Sequence, residues 1–169
     1  MTIAYRDGVP ADAAALDALF DESFTDTFGH LYAAEDLALF LSGFSVEDWA
    51  RELADPGLAF RVAEADGRLA GYAKLGPVAL PVEPAGPAAE LRQFYLLKPW
   101  HGAGIAQALM DWVLETARAR GAAELYLSVF TENHRARAFY ARYGFEEVGP
   151  YIFRVGNHED RDIIMRVGL

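Results

Sequence analysis

The stretch from Leu91 to Met110 carries the residues whose order could do chemistry. An apolar segment, Leu91-Arg92-Gln93-Phe94-Tyr95-Leu96-Leu97, runs through the turn Lys98-Pro99-Trp100-His101-Gly102-Ala103-Gly104 into the amphipathic segment that starts Ile105-Ala106-Gln107-Ala108-Leu109-Met110. Strand, glycine turn and helix in that order make an anion site. The first amides of a helix have no intrahelical acceptor and sit at the positive end of its dipole, so without side chains at Gly102 and Gly104 they can close on a phosphate. A Walker loop needs Lys-Ser or Lys-Thr after its second glycine, where this chain has Ile105-Ala106. A dinucleotide fingerprint needs a third glycine or alanine where Gln107 stands. Two glycines in such a turn can also be simple tight packing, so the surrounding elements decide the reading.

The chain has 169 residues, the size of one ordinary domain, and 53% hydrophobic content is ample for one core. A single domain over 1–169 is expected. There is no cysteine, which removes disulfides, thiolate metal sites and a covalent cysteine intermediate. The four histidines, His30, His101, His134 and His158, are scattered without ligand spacing, so no metal is expected. The start lacks a basic patch followed by an apolar run, and the longest apolar stretch, Leu37 to Phe44, is too short for a bilayer. A cytoplasmic protein that does not engage a membrane is the expectation. The net charge of −10 is uneven: residues 1 to 60 hold twelve acids against Arg6 and Arg51, and the other 109 residues hold thirteen charges of each sign. The N-terminal third would attract cations and repel nucleic acid. The same acids also read as solvated helix faces.

These elements must position the turn. Ile3 and Tyr5 alternate with polar neighbours in a short strand, and the spacing of Leu16, Leu19, Phe20 and Phe24 predicts a helix from Ala11 to Phe24. A short helix fits Glu35 to Leu41, and Ser45 with Asp48 reads as a capping box opening another that ends near Asp55-Pro56-Gly57. The segments 58–65 and 68–75 flank Asp66-Gly67, a strong hairpin signal. After a proline-rich loop, Pro77 to Pro87, come a strand Glu90 to Leu97, a helix Gly104 to Arg120 and a strand Glu124 to Val129. A helix His134 to Tyr143 then ends at Gly144, and strands Phe145 to Val155 and Asp160 to Val167 flank a turn at Gly156-Asn157.

With these elements in place the turn resembles a known signature. His101 to Ala106 is similar to the Gln/Arg-x-x-Gly-x-Gly/Ala acetyl-coenzyme A motif of the GCN5-related N-acetyltransferase superfamily, with His101 in place of the usual glutamine or arginine. Further on, Asn133, Ala136, Phe139, Tyr140, Gly144 and Phe145 resemble its second signature, Asn-x-x-Ala-x-x-Phe-Tyr-x-x-x-Gly-Phe. The order of elements matches over the whole chain. The resemblance implies an α/β (α+β) fold: a central mixed, mostly antiparallel twisted sheet of about six to seven strands, flanked by helices and splayed at the two strands after the central hairpin. It implies an acyltransferase that takes acetyl-coenzyme A and a small amine as partners, and it leaves a homodimer open.

The resemblance also implies roles. Gly102, Ala103, Gly104, Ile105, Ala106 and Gln107 would cradle the pyrophosphate, and the backbone of Phe94, Tyr95 and Leu96 would bond the pantetheine arm as an added strand. Asn133 would approach the pantetheine or thioester end, and equally reads as a helix N-cap. Tyr140 would be the general acid. A phenol, with a reference pKa of about 10 against about 8.5 for a thiol, is protonated at neutral pH and can donate as the C–S bond breaks. Its other reading is core packing beside Phe139 and Tyr143. Attack needs a neutral amine, yet an alkyl amine of pKa about 10.4 is mostly protonated at pH 7, so a proton acceptor is required. Glu90 is the sequence candidate for that general base; an exposed strand-end carboxylate is the alternative. Ser128 occupies the place where other superfamily members put a glutamate. Arg135, Arg137 and Arg142 could meet the adenosine phosphate or form a solvated basic face. With no cysteine and no Gly-x-Ser-x-Gly elbow, direct transfer is the remaining route.

Phe24 to Gly29, Glu35-Asp36-Leu37 and the close from Arg154 to Met165 resemble the bacterial spermidine/spermine acetyltransferase branch, and an acidic, aromatic acceptor side would suit a polycation. The competing readings are a peptide or protein N-terminal acetyltransferase and a non-enzymatic acetyl-coenzyme A sensor.

Overall fold

The computed structural model describes residues 2–169. Its frame is one seven-stranded sheet in the order β1-β2-β3-β4-β5-β7-β6. The strands are β1 (Ile3–Asp7), β2 (Ala59–Ala65), β3 (Arg68–Gly76), β4 (Ala88–Leu96), β5 (Glu124–Phe130), β6 (Glu146–Val155) and β7 (His158–Gly168). The helices are α1 (Ala13–Phe28), α2 (Ala34–Leu41), α3 (Val46–Leu53), α4 (Ile105–Ala119) and α5 (His134–Arg142). Neighbouring strands are antiparallel except β4 and β5, which are joined by the α4 crossover that a parallel pair requires. The expected mixed, mostly antiparallel sheet flanked by helices is the fold observed.

The hairpin forms where Asp66-Gly67 predicts it, with φ of 51° and 80° at the two residues. Both lie in the left-handed region that a tight two-residue hairpin turn needs. Ser45 caps α3 as expected: its hydroxyl accepts from the Asp48 amide at 3.1 Å, and its own amide donates to the Asp48 carboxylate at 3.3 Å.

The decisive irregularity is in β4. Lys74 faces Gln93 while Leu75 faces Leu91, so Arg92 is an extra residue, and a bulge of this kind bends and twists its strand. Pairing with β5 covers only Ala88, Ala89 and Glu90, against Glu124, Leu125 and Tyr126. Beyond Glu90 the two strands diverge, which is the expected splay.

One apolar cluster packs α4 and α5 against one face of the sheet, with Ile105, Leu109, Tyr140 and Phe145 among its buried members. The other packs α1 and α3 on the opposite face around Phe20, Phe24, Trp49 and Tyr72. Helix α1 runs to Phe28, four residues past the predicted end. Thr25 and Thr27 are weak helix formers, but Phe28 gains an edge contact with Phe130 of β5 at 6.2 Å, and tertiary burial outweighs local preference.

Phe20 is 1% exposed and has the rings of Phe24, Phe40, Phe44, Trp49 and Tyr95 within 4.7 to 6.2 Å. Truncating it to alanine should cost roughly 3–5 kcal/mol, read as a lower urea midpoint. A loss under about 1 kcal/mol would mean that this side of the core is loosely packed.

Candidate active site

The splay opens into a cleft of about 580 Å³ that crosses the sheet. At one end stands the glycine turn. Gly102 and Gly104 hold φ of 80° and 83°, and a Cβ built on either meets nothing within 4 Å. The positive φ favours glycine, and the space over both residues is open. Gly104 is the N-cap of α4, and the first intrahelical bond runs from the Ala108 amide to the Gly104 carbonyl at 3.2 Å. The amides of Ile105, Ala106 and Gln107 are therefore free of intrahelical acceptors. Ile105 is fully buried and pins this helix end to the core. A ring nitrogen of His101 lies 3.1 Å from the Leu96 carbonyl, tying the turn back to the end of β4.

Along the cleft wall, Phe94, Tyr95 and Leu96 pair with Ala73, Tyr72 and Gly71 of β3 on one side. Their other edge faces the splay, which leaves backbone groups for an added strand. A Cβ at Gly71 would lie 2.8 Å from the Tyr95 carbonyl oxygen, so glycine is required there for β3 to reach this part of β4.

Tyr140 comes from α5 and is 8% exposed. Phe94, Phe139 and Phe145 surround its ring at 5.7 to 6.4 Å, and burial pushes its phenol well above the ordinary tyrosine value. The phenol keeps its proton at neutral pH, and Tyr140 is among the residues lining the cleft. Asn133 also lines it while its side-chain oxygen accepts from the Ala136 amide at 3.3 Å, so the N-cap role and a place in the cleft coexist. Arg135 and Arg142 line the cleft as well. Arg137 is held elsewhere, donating to the Thr131 carbonyl at 2.8 Å and to Glu147 at 2.5 Å.

Glu90, the expected general base, is not among the residues that line the cleft. It sits at the closed end of the splay, 9% exposed, and one of its oxygens accepts from the amides of Ala79 and Leu80 at 2.8 and 3.0 Å. Its carboxylate anchors the proline-rich loop. A strand-end acid looks exposed in the sequence, and only the return of that loop covers it.

The far end of the cleft is aromatic and acidic. Phe24, Phe28 and Tyr32 line it, as the N-terminal aromatics suggest, but the acids there come from β7, as Asp160 and Asp162. The N-terminal acids do other work: Asp36, for example, accepts from the Asn157 amide at 3.0 Å and holds the β6–β7 turn. Sequence reasoning assigned no role to Asp160 and Asp162. The available signal was alternation, which puts two acids on the same strand face as the buried Ile164. No helix among the described residues is long and apolar enough to cross a membrane.

The acetyltransferase (GNAT) family model matches residues 14–145. An uncharacterized N-acetyltransferase of Mycobacterium tuberculosis is 37% identical over 155 residues, covering 91% of this chain and 96% of that protein. Among solved structures, a PaiA N-acetyltransferase from Thermoplasma acidophilum in complex with coenzyme A superposes with a TM-score of 0.80 at 22% identity over the whole of both chains. A ribosomal-protein-alanine N-acetyltransferase from Brucella melitensis gives 0.76 at 26% identity, covering 98% of this chain and 99% of that one. The glycine turn, the splay and the buried tyrosine that the fold assembles are thus accompanied by a family match across most of the sequence, and the chain belongs to the acetyltransferase (GNAT) family.

Proposed function

We propose that this acetyltransferase carries an acetyl group from acetyl-coenzyme A directly to a primary amine, and that a polyamine such as spermidine or spermine is the acceptor. The observation that carries this reading is the single cleft that joins a helix-capped glycine cradle to an acidic, aromatic pocket, with the Tyr140 phenol lining it. Acetyl-coenzyme A supplies the activated acyl group and a thiolate leaving group. The amides of Gly102 to Gln107 hold the pyrophosphate, and the free edge of Phe94, Tyr95 and Leu96 aligns the pantetheine arm. Asn133 stands at the inner end of that arm. Tyr140 donates its proton to the departing sulfur. The chain has no cysteine to take the acyl group, so the amine attacks within a ternary complex.

Thiol release from acetyl-coenzyme A tests the acceptor across spermidine, spermine, amino acids, aminoglycosides and peptides with an N-terminal alanine. The expected result is the highest kcat/KM with the polyamines, because two buried carboxylates sharing the cleft with Phe24, Phe28 and Tyr32 favour a slender cation. A preference for the peptide would move the assignment to the N-terminal amine class, which the Brucella melitensis neighbour's name favours. Thiol release with none of these amines would leave the sensor reading.

A further inference from the structure

Asp160 and Asp162 are 5% and 7% exposed, yet both reach the cleft. Their surroundings differ. Asp160 accepts a hydrogen bond from the Tyr32 phenol and lies 3.2 Å from a ring nitrogen of His158. Asp162 has no hydrogen-bond donor and no cation among the described residues. Its strand neighbours are Phe130 of β5 and Tyr151 of β6. The phenols of Tyr32, in the turn after α1, and of Tyr95, on β4, both feel its charge, and Asp160 faces it from its own strand.

A carboxyl this short of solvent and without a protein donor favours its protonated form or a ligand in contact. Asp162 is not sealed off, since among the described residues only the Asp21 Oδ1 side-chain atom is both sealed and unpartnered. Burial first, and the charge of Asp160 second, push the Asp162 carboxyl up to about 7. The Tyr95 phenol, raised first by burial, also feels Tyr140 and Asp162. Tyr140 of α5, Tyr95 of β4 and Asp162 of β7 all line the one cleft.

We propose that Asp162 receives the proton of an alkylammonium acceptor, with Asp160 beside it drawing that cation into the cleft. The proposal rests on the acyl-transfer reading above. The ammonium gives one proton to the Asp162 carboxylate and attacks with the freed lone pair. As the N–C bond forms and the C–S bond breaks, the sulfur takes the Tyr140 proton. The second amine proton returns to the phenol through solvent, and Asp162 releases its own to bulk water. The environment of Asp162 suits this task. Raising a carboxyl from 3.8 to about 7 makes proton transfer from an alkylammonium roughly a thousandfold less unfavourable. The sign follows directly: below about pH 7 Asp162 holds a proton and cannot accept another, so kcat/KM falls on the acid side.

Two readouts test this, one of them independent of turnover. In aspartate-labelled protein, the carbonyl carbon resonance lost in Asp162→Asn should titrate near pH 7. Saturating spermidine or n-butylamine should lower that midpoint by about one unit or more, because a cation in the site favours the charged form. A midpoint in the ordinary aspartate range, or no displacement by either amine, overturns the proposal. In steady state with the best acceptor of the panel, Asp162→Asn should lower kcat/KM about 100-fold at pH 8 and remove the acid limb. Asp162→Glu should restore the limb, and coenzyme A affinity should be unchanged in both variants. If Asp162→Asn keeps the rate and the limb, the proton acceptor lies elsewhere while acyl transfer stands. If the wild-type protein releases no thiol with any amine, the acyl-transfer reading fails and takes this inference with it.

Discussion

Replacing Tyr140 with phenylalanine is expected to lower kcat about 100-fold and to leave the affinity for coenzyme A unchanged. The phenol is raised by burial alone, so it is fully protonated at neutral pH and acts only as a donor. The leaving thiolate, with a reference pKa of about 8.5, can depart without help, which keeps the expected loss near the lower end of general acid effects. Removing the hydroxyl strands no protein partner, because it makes no side-chain hydrogen bond among the described residues, and the ring still packs among Phe94, Phe139 and Phe145. Thermal stability should therefore hold. Turnover at saturating amine together with calorimetric coenzyme A binding decides the matter: unchanged kcat would return Tyr140 to a packing role. The direction of its shift also predicts no alkaline limb from this group across the neutral range, since the phenol keeps its proton there.

The other large effect is expected at the glycine turn. Gly104→Ala should raise KM for acetyl-coenzyme A by about 10-fold or more, since a left-handed conformation costs an L-residue roughly 1–2 kcal/mol and the added methyl group enters the phosphate cradle. Gly121 separates the two causes. It holds φ of 88° and, like Gly104 at 83°, has nothing within 4 Å of a built Cβ, but it ends α4 instead of opening it. Gly121→Ala should show a similar loss of stability in urea and no change in KM. Equal KM values for the two variants would mean that backbone strain, and not the cradle, accounts for the effect at Gly104.

Much of the molecule was determined by local physics and could be read along the chain. The hairpin follows from two residues able to adopt positive φ at Asp66-Gly67, and α3 from the reciprocal cap of Ser45 and Asp48. The open turn before α4 follows from glycines at positive φ directly before an amphipathic helix. Each of these depends on interactions within a few residues, and the family signatures carried by Gly104, Ala106, Asn133 and Tyr140 are local in the same sense. The tertiary structure decided what depends on strands far apart in sequence. The extra residue Arg92 bends β4 away from β5 only because β3 holds its register on the other side. The returning proline-rich loop covers Glu90 and holds its carboxylate outside the lining of the cleft. Strand β7 inserts between β5 and β6 and brings Asp160 and Asp162 to the cleft that Phe24 and Phe28 of α1 also line. A carboxylate's role is set by the dielectric and the charges around it. Asp160 and the alternation with Ile164 are legible in the chain order, but the burial that acts first on Asp162 comes from elements far apart in sequence, with β5 and β6 on either side of β7, so local spacing does not fix it.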